Sequence, residues 1–188
     1  MSNATGWNIP AHPLRWPIND ANGAELAELT LRPILHGEHL EVLNEYDDSD
    51  DRLDALMRLT TGQPDDVLVH LKTPDYNALA ARIGDMVAKD ADYFIDGKVD
   101  PDAPRLLHPV TLGGVLRESL SLEVPTLAAS RKMRQIKDKD QAAAFITAHC
   151  TGLQLPDLDL LSVPDWNQLQ GRINDFLNEP AASFPKAT

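Results

Sequence analysis

The stretch HGEH, residues 36–39, sets His36 and His39 one helical turn apart, with Glu38 between them and Glu41 just beyond. Imidazole and carboxylate groups at such spacing could hold a metal ion. The stretch lacks the i,i+4 histidine pair of HExxH, however, and reads first as the solvated opening turn of a helix. DDSDD, residues 47–51, has the acidic density of a calcium loop without its glycine and closing glutamate, so an acidic helix start is the simpler account. Cys150 is the one cysteine, which excludes an intrachain disulfide and points to a reducing compartment. Beside a helix-ending Thr-Gly, it reads as a small core residue rather than a nucleophile. His149 is expected on a core-facing helix side. No phosphate-binding glycine loop, nucleophile elbow or paired-cysteine zinc spacing occurs. Catalysis needs convergent polar groups, and the sequence displays none. No catalytic residue, cofactor or metal is expected.

The remaining chemistry is charge. The helix opening near residue 37 carries Glu38, Glu41 and Glu45, and its counterpart in the second half carries Arg131, Lys132, Arg134 and Lys137. Two solvated faces that drifted apart are the plain reading of this contrast. The sharper one is that the opposite charges bind a partner, pairing the halves or orienting two chains head to tail. The chain's formal net charge is −12, which argues against nucleic acid as a general partner. Residues 1–100 hold nineteen acidic and eight basic residues, whereas 101–188 hold ten and nine. No apolar run approaches the ~20 residues of a membrane span. No basic-then-apolar leader is visible, and a soluble cytoplasmic protein is expected.

What positions these groups is a unit that the chain states twice. TPDYNALAARIGDMV at 73–87 is answered by VPDWNQLQGRINDFL at 163–177 without a gap. Over 61–87 an offset of ninety gives eleven identities in twenty-seven positions, where composition alone would give about two. Upstream the offset drifts by a residue or two, with Pro17 near Pro109, Gly23 near Gly114 and Pro33 near Pro125. The pattern is a tandem duplication over 14–95 and 106–179, with 96–105 as linker and residues 1–13 and 180–188 as loose ends. Glu179 stands at the edge of that tail.

Each copy is expected to be α+β: a β-hairpin followed by three or four helices. LAELTLRPI (26–34) alternates apolar and polar residues after a turn at 19–23, and SLSLEV (119–124) alternates after Gly113–Gly114, with Leu120, Leu122 and Val124 on one face. Leu40, Leu43 and Tyr46 predict a helix over 37–46, matched by Met133 and Ile136 over 127–137. Leu53, Leu56, Met57 and Leu59 mark the next helix, matched by Ala142, Phe145, Ile146 and His149. Gly62 and Gly152 end them. A short apolar segment leads to a last helix with an early proline, and Asp75 and Asp165 favour its positive N-terminus. Asp85 and Asp175 also recur, and capping and solubility are the first explanation for all four. Tyr76, Leu79, Ile83 and Met86 fall on one face at helical spacing. Tyr76 and Trp166, like Leu79/Leu169 and Ile83/Ile173, are expected in equivalent niches.

Taken in order, LTLRPI, ALMRLTTG and LVHLKTPDYNALAARIGDMV, answered by LSLEVPT, AFITAHCTG and LDLLSVPDWNQLQGRINDFL, resemble the phage tail assembly chaperone family of Mu-like and related contractile-tailed phages. The resemblance covers most of both copies. It implies a protein that is not an enzyme, that binds the long helical tape measure protein in the host cytoplasm before the tail polymerises, and that helps recruit tail tube subunits. Family members are generally single-copy, so a tandem chain implies a homo-oligomer or an intrachain pseudo-dimer. Other readings fit the same composition. One is a minor structural tail component retained in the virion. Another is an acidic secretion-type chaperone or immunity protein. An enzyme, with metal at His36 and His39, is the most distant.

Overall fold

The computed structural model describes residues 9–95 and 100–184. The fold is α+β. Its first half runs β1 (His12–Asn19), β2 (Glu25–Leu29), α1 (His36–Glu45), α2 (Ser49–Thr61), α3 (Asp65–Leu68) and α4 (Thr73–Ala88), then a short 3-10 turn at Ala91–Tyr93. The second half runs β3 (Arg105–Leu112), β4 (Val115–Ser119), α5 (Leu127–Gln135), α6 (Lys139–Thr151), α7 (Leu155–Leu158) and α8 (Val163–Asn178), then a 3-10 turn at Ala181–Ser183. The two halves thus present the same elements in the same order. Each pair of strands is a separate antiparallel hairpin.

Local chemistry accounts for the boundaries. The Asp48 carboxylate accepts the Asp50 N–H at the start of α2, and the Asp138 carboxylate accepts the Gln141 N–H at the start of α6. Both satisfy backbone donors that a helix leaves without partners. Gly62 and Gly152 close these helices in the left-handed region at φ 66° and 72°, a conformation that costs a residue with a Cβ more. The Arg32 N–H donates to the Thr60 carbonyl, and the Glu123 N–H donates to that of Cys150. Both bonds tie the segment after the hairpin to the end of the second helix.

Each half has its own core. Leu29, Ile34, Met57, Leu79, Ile83 and Met86 anchor the first; Ile146, Leu158, Leu161, Leu169 and Ile173 anchor the second. Burying a side chain of this size contributes about 1.5–3 kcal/mol. Leu79 and Leu169, with Ile83 and Ile173, are all buried to within one per cent, as the recurring helix pattern requires. Cys150 is buried as expected, and burial pushes its thiol up to about 11.

Several expectations are corrected. SLSLEV is not a strand: β4 ends at Ser119, and Val124 is exposed. Its alternation arises because the Leu120 and Leu122 N–H groups donate to the Pro104 and Asp102 carbonyls, turning both leucines inward. In α1 the buried positions are His36 and Val42, and Leu43 lies outside. His149 is exposed; Ile146 and Cys150 take the inner face of α6. Of the segments expected to be loose, His12 and Pro13 belong to β1. Phe184 packs against Phe176, with ring centroids 5.5 Å apart. In the expected linker, residues 96–99 lie outside the described residues, while Arg105 opens β3 and Asp102 pairs with Arg172 at 2.6 Å.

Asp75 and Asp165 do more than cap. Both are buried, and each accepts two consecutive backbone N–H groups from the strand of its own hairpin. Asp75 takes those of Arg15 and Trp16 at 3.0 and 3.1 Å. Asp165 takes those of Leu107 and His108 at 2.6 and 3.0 Å. These donors lie where pairing slips, between Pro13 and Ile18 in β1 and between Arg105 and Val110 in β3. A slipped register leaves strand N–H groups without ladder partners. The aspartate supplies them and locks the last helix to the hairpin.

Candidate functional site

The halves meet head to tail. The start of α1 lies against the turn that opens α8. The His36 N–H donates to the Leu161 carbonyl, the Gly37 N–H to that of Asp159, and the Val163 N–H to that of Ile34. Leu35 and Ser162 form an isolated antiparallel bridge. The His36 imidazole stacks on the Trp166 indole at 3.9 Å between centroids. Gly37 is required by this approach, since a Cβ there would stand 2.8 Å from the Asp159 Cβ. The Asn167 amide adds bonds to the Val87 and Lys89 carbonyls.

The corresponding face of the first half is open. Met57, Leu68, Val69, Leu71 and Tyr76, with Asp54 at the edge, line a groove of about 430 Å³. At an offset of ninety, Val69, Leu71, Thr73 and Tyr76 correspond to Asp159, Leu161, Val163 and Trp166. In the second half Leu161, Val163 and Trp166 are covered by residues 34–37, while Asp159 stays exposed and accepts the Gly37 N–H. Trp166 is buried whereas Tyr76 is half exposed and reaches Asp54 with its hydroxyl. The expectation of equivalent aromatic niches therefore fails. The backbone places are alike, but a neighbour covers one ring and not the other. The second half has its own uncovered apolar residues, among them Val124, Leu127 and Leu155.

The charged residues singled out from sequence form no ion pairs with one another among the described residues. Glu38 accepts the Leu35 N–H at 3.0 Å and pairs with Arg32 at 2.8 Å. Its hydrogen bond to Arg32 holds its carboxyl below the ordinary range despite partial burial, which pushes the other way. Glu41 and Glu45 are exposed, as are Arg131, Lys132, Arg134 and Lys137. Lys132 lies over the Phe145 ring. Among the described residues no ion pair joins the two sets. His36 and His39 serve the joint and the helix start, and no group of three metal-ligating side chains assembles among the described residues. The joint, the groove and the aspartate clamps were missed from sequence. The Tyr76/Trp166 correspondence was the available signal for the first two.

Two buried groups at the joint titrate in opposite senses. Burial pushes His36 down to about 4 and Asp165 up to about 6. Between pH 4 and 6.5 the unfolded chain binds the imidazole proton more readily, so the His36 contribution is lost as pH falls through that window. Asp165 holds its proton more readily when folded, so its contribution grows as pH falls through 6 toward the ordinary carboxyl value. The His36 Nδ1 is buried without a partner, so phenylalanine suits the position. The stability of His36→Phe relative to the parent chain should rise between pH 6.5 and 4.5, measured by denaturant melts. A difference that does not change with pH would refute this account of His36.

Comparison with known proteins bears on this arrangement. No curated protein and no solved structure matches the chain. A family model described as phage tail assembly chaperone proteins, E, or 41 or 14, matches residues 103–178, from just before β3 to the end of α8. Residues 103–178 are thus similar to the phage tail assembly chaperone family.

Proposed function

We propose that the protein is a non-enzymatic chaperone of phage tail assembly, acting in the host cytoplasm, that binds the tape measure protein and helps recruit tail tube subunits. The observation that carries the reading is the family match over 103–178. We further propose that the chain is two copies of one such unit. The identities at an offset of ninety, the repeated order of elements and the paired aspartate clamps support it. Physically, a long partner helix with an apolar stripe aggregates when left bare. A carrier suits it by offering modest apolar contacts and a net charge that keeps the complex in solution. The open groove, the uncovered Val124, Leu127 and Leu155, and the net charge of −12 are of that kind. Glu38, Glu41 and Glu45, with Arg131, Lys132, Arg134 and Lys137, are the proposed charged contacts.

A chaperone leaves before the particle is complete, whereas a minor tail component stays. Mass spectrometry should find this protein in lysates that are assembling tails and not in purified virions. Recovery from virions in fixed proportion to the tail tube protein would favour the structural reading.

A further inference from the structure

The joint between the halves uses one face of each and leaves one face of each unused. The first half contributes residues 34–37, and the second contributes 159–166. At an offset of ninety-one, Pro125, Thr126, Leu127 and Ala128 correspond to Ile34, Leu35, His36 and Gly37. Thr126, like Leu35, stands immediately before its helix. Leu127 is 62% exposed, and Val69 at the mouth of the open groove is 75% exposed. The groups that would repeat the joint's hydrogen bonds are the Leu127 and Thr73 N–H and the Leu71 and Pro125 carbonyls. None of them has a partner of that kind in another element among the described residues.

We propose that the groove at Met57–Tyr76 receives the Pro125–Ala128 segment of a second copy of this chain, so that the joint made inside each molecule is repeated between molecules. This rests on the two-copy reading given above, and not on tape measure binding. Continuity with the internal joint fixes the orientation. Leu127 enters beside Tyr76 where His36 stacks on Trp166, and the Thr73 N–H meets the Pro125 carbonyl. Charge selects the partner. Asp54 and Asp65 line the groove, with Asp50 and Asp51 near by on α2. The segment that would enter it leads into Arg131, Lys132 and Arg134 of α5. Such a contact is heterologous: each chain offers one groove and one inserting segment, so copies add in a row or close into a ring. The outer joint is looser than the inner one at one point. Ala128 replaces Gly37, so the two backbones must stand further apart there, because a Cβ in Gly37's place would lie 2.8 Å from the Asp159 Cβ.

Sedimentation velocity of the full chain over a concentration series, at low and high salt, tests this directly. The expected result is reversible association that salt weakens. Leu127→Glu and Val69→Arg change exposed residues and should leave the melting curve intact while each weakens association at least ~tenfold. Each variant keeps one good face. A mixture of the two should therefore form a one-to-one pair that grows no further. Ala128→Gly should tighten association. A chain that stays monomeric at about 100 μM, far above a micromolar Kd, would overturn the proposal, as would association unchanged by both substitutions. If the chain is monomeric and Val69→Arg instead abolishes co-purification of the tape measure protein, the groove belongs to that partner and the proposal is wrong. The two-copy reading is judged separately, by whether the two halves superpose in an experimental structure of the full chain.

Discussion

Replacing Asp165 by alanine should cost about 3 kcal/mol or more, because it leaves several buried donors without an acceptor. The carboxylate accepts the Leu107 N–H, the His108 N–H and the Ser162 hydroxyl, the last at 2.6 Å. The residue is 2% exposed, so water does not readily replace it. Asp165→Asn keeps two acceptor positions on one oxygen but turns an amide N–H₂ toward other donors, and should recover only part of the loss. Asp75→Ala should cost less. Asp75 accepts two partly buried N–H groups and has no serine hydroxyl beside it. Thermal melts of the four proteins, including the parent, should rank them parent, Asp75→Ala, Asp165→Asn, Asp165→Ala. An Asp165→Ala chain as stable as the parent would show that the aspartate is not what ties α8 to its hairpin.

The second large effect separates two residues that sequence makes alike. Trp166→Ala should cost about 3–5 kcal/mol, in the range for removing a large buried aromatic. It removes the stacking partner of His36 and opens the joint between the halves. Tyr76→Ala, at the corresponding place, should cost clearly less, since that ring is half exposed and its hydroxyl touches only the exposed edge of Asp54. Equal losses would mean that the joint contributes nothing to stability. Trp166→Ala should also raise the chain's susceptibility to proteolysis.

Much of the fold was legible. The last helices announce themselves through an early proline, apolar residues at helical spacing and a preceding apolar turn. Gly62 and Gly152 mark where their helices stop because a left-handed backbone is needed there. Leu79, Ile83, Leu169 and Ile173 were legible as core because a helix four turns long leaves little choice about which face is inside. What was not legible depends on which surface meets which. Val124 continues an alternating pattern but lies beyond the strand and faces outward. Leu43 and Val42 are adjacent apolar residues, and only the angle at which α1 packs on its neighbours selects Val42. His149 sits one residue from Cys150, which a small rotation of α6 separates into outside and inside.

The candidate site was harder still. A tyrosine answered by a tryptophan reads as one niche conserved in size. The difference between them comes from a segment more than a hundred residues away that covers one and not the other. The aspartates read as helix-start residues because helix starts favour acids. Their bonds to β1 and β3 depend on slipped strand registers that no local pattern discloses. The charge contrast between Glu38, Glu41, Glu45 and Arg131, Lys132, Arg134, Lys137 was plain in the sequence. Which surfaces these residues meet is a matter of assembly.

The most direct measurement of the central claim is the soluble fraction of the tape measure protein from the same phage, expressed with and without this chain. The account predicts a marked rise in that fraction and a complex that survives purification, with either half alone binding more weakly than the whole chain if both halves engage together. A tape measure protein equally insoluble in both cases, while this chain is present and folded, would contradict it.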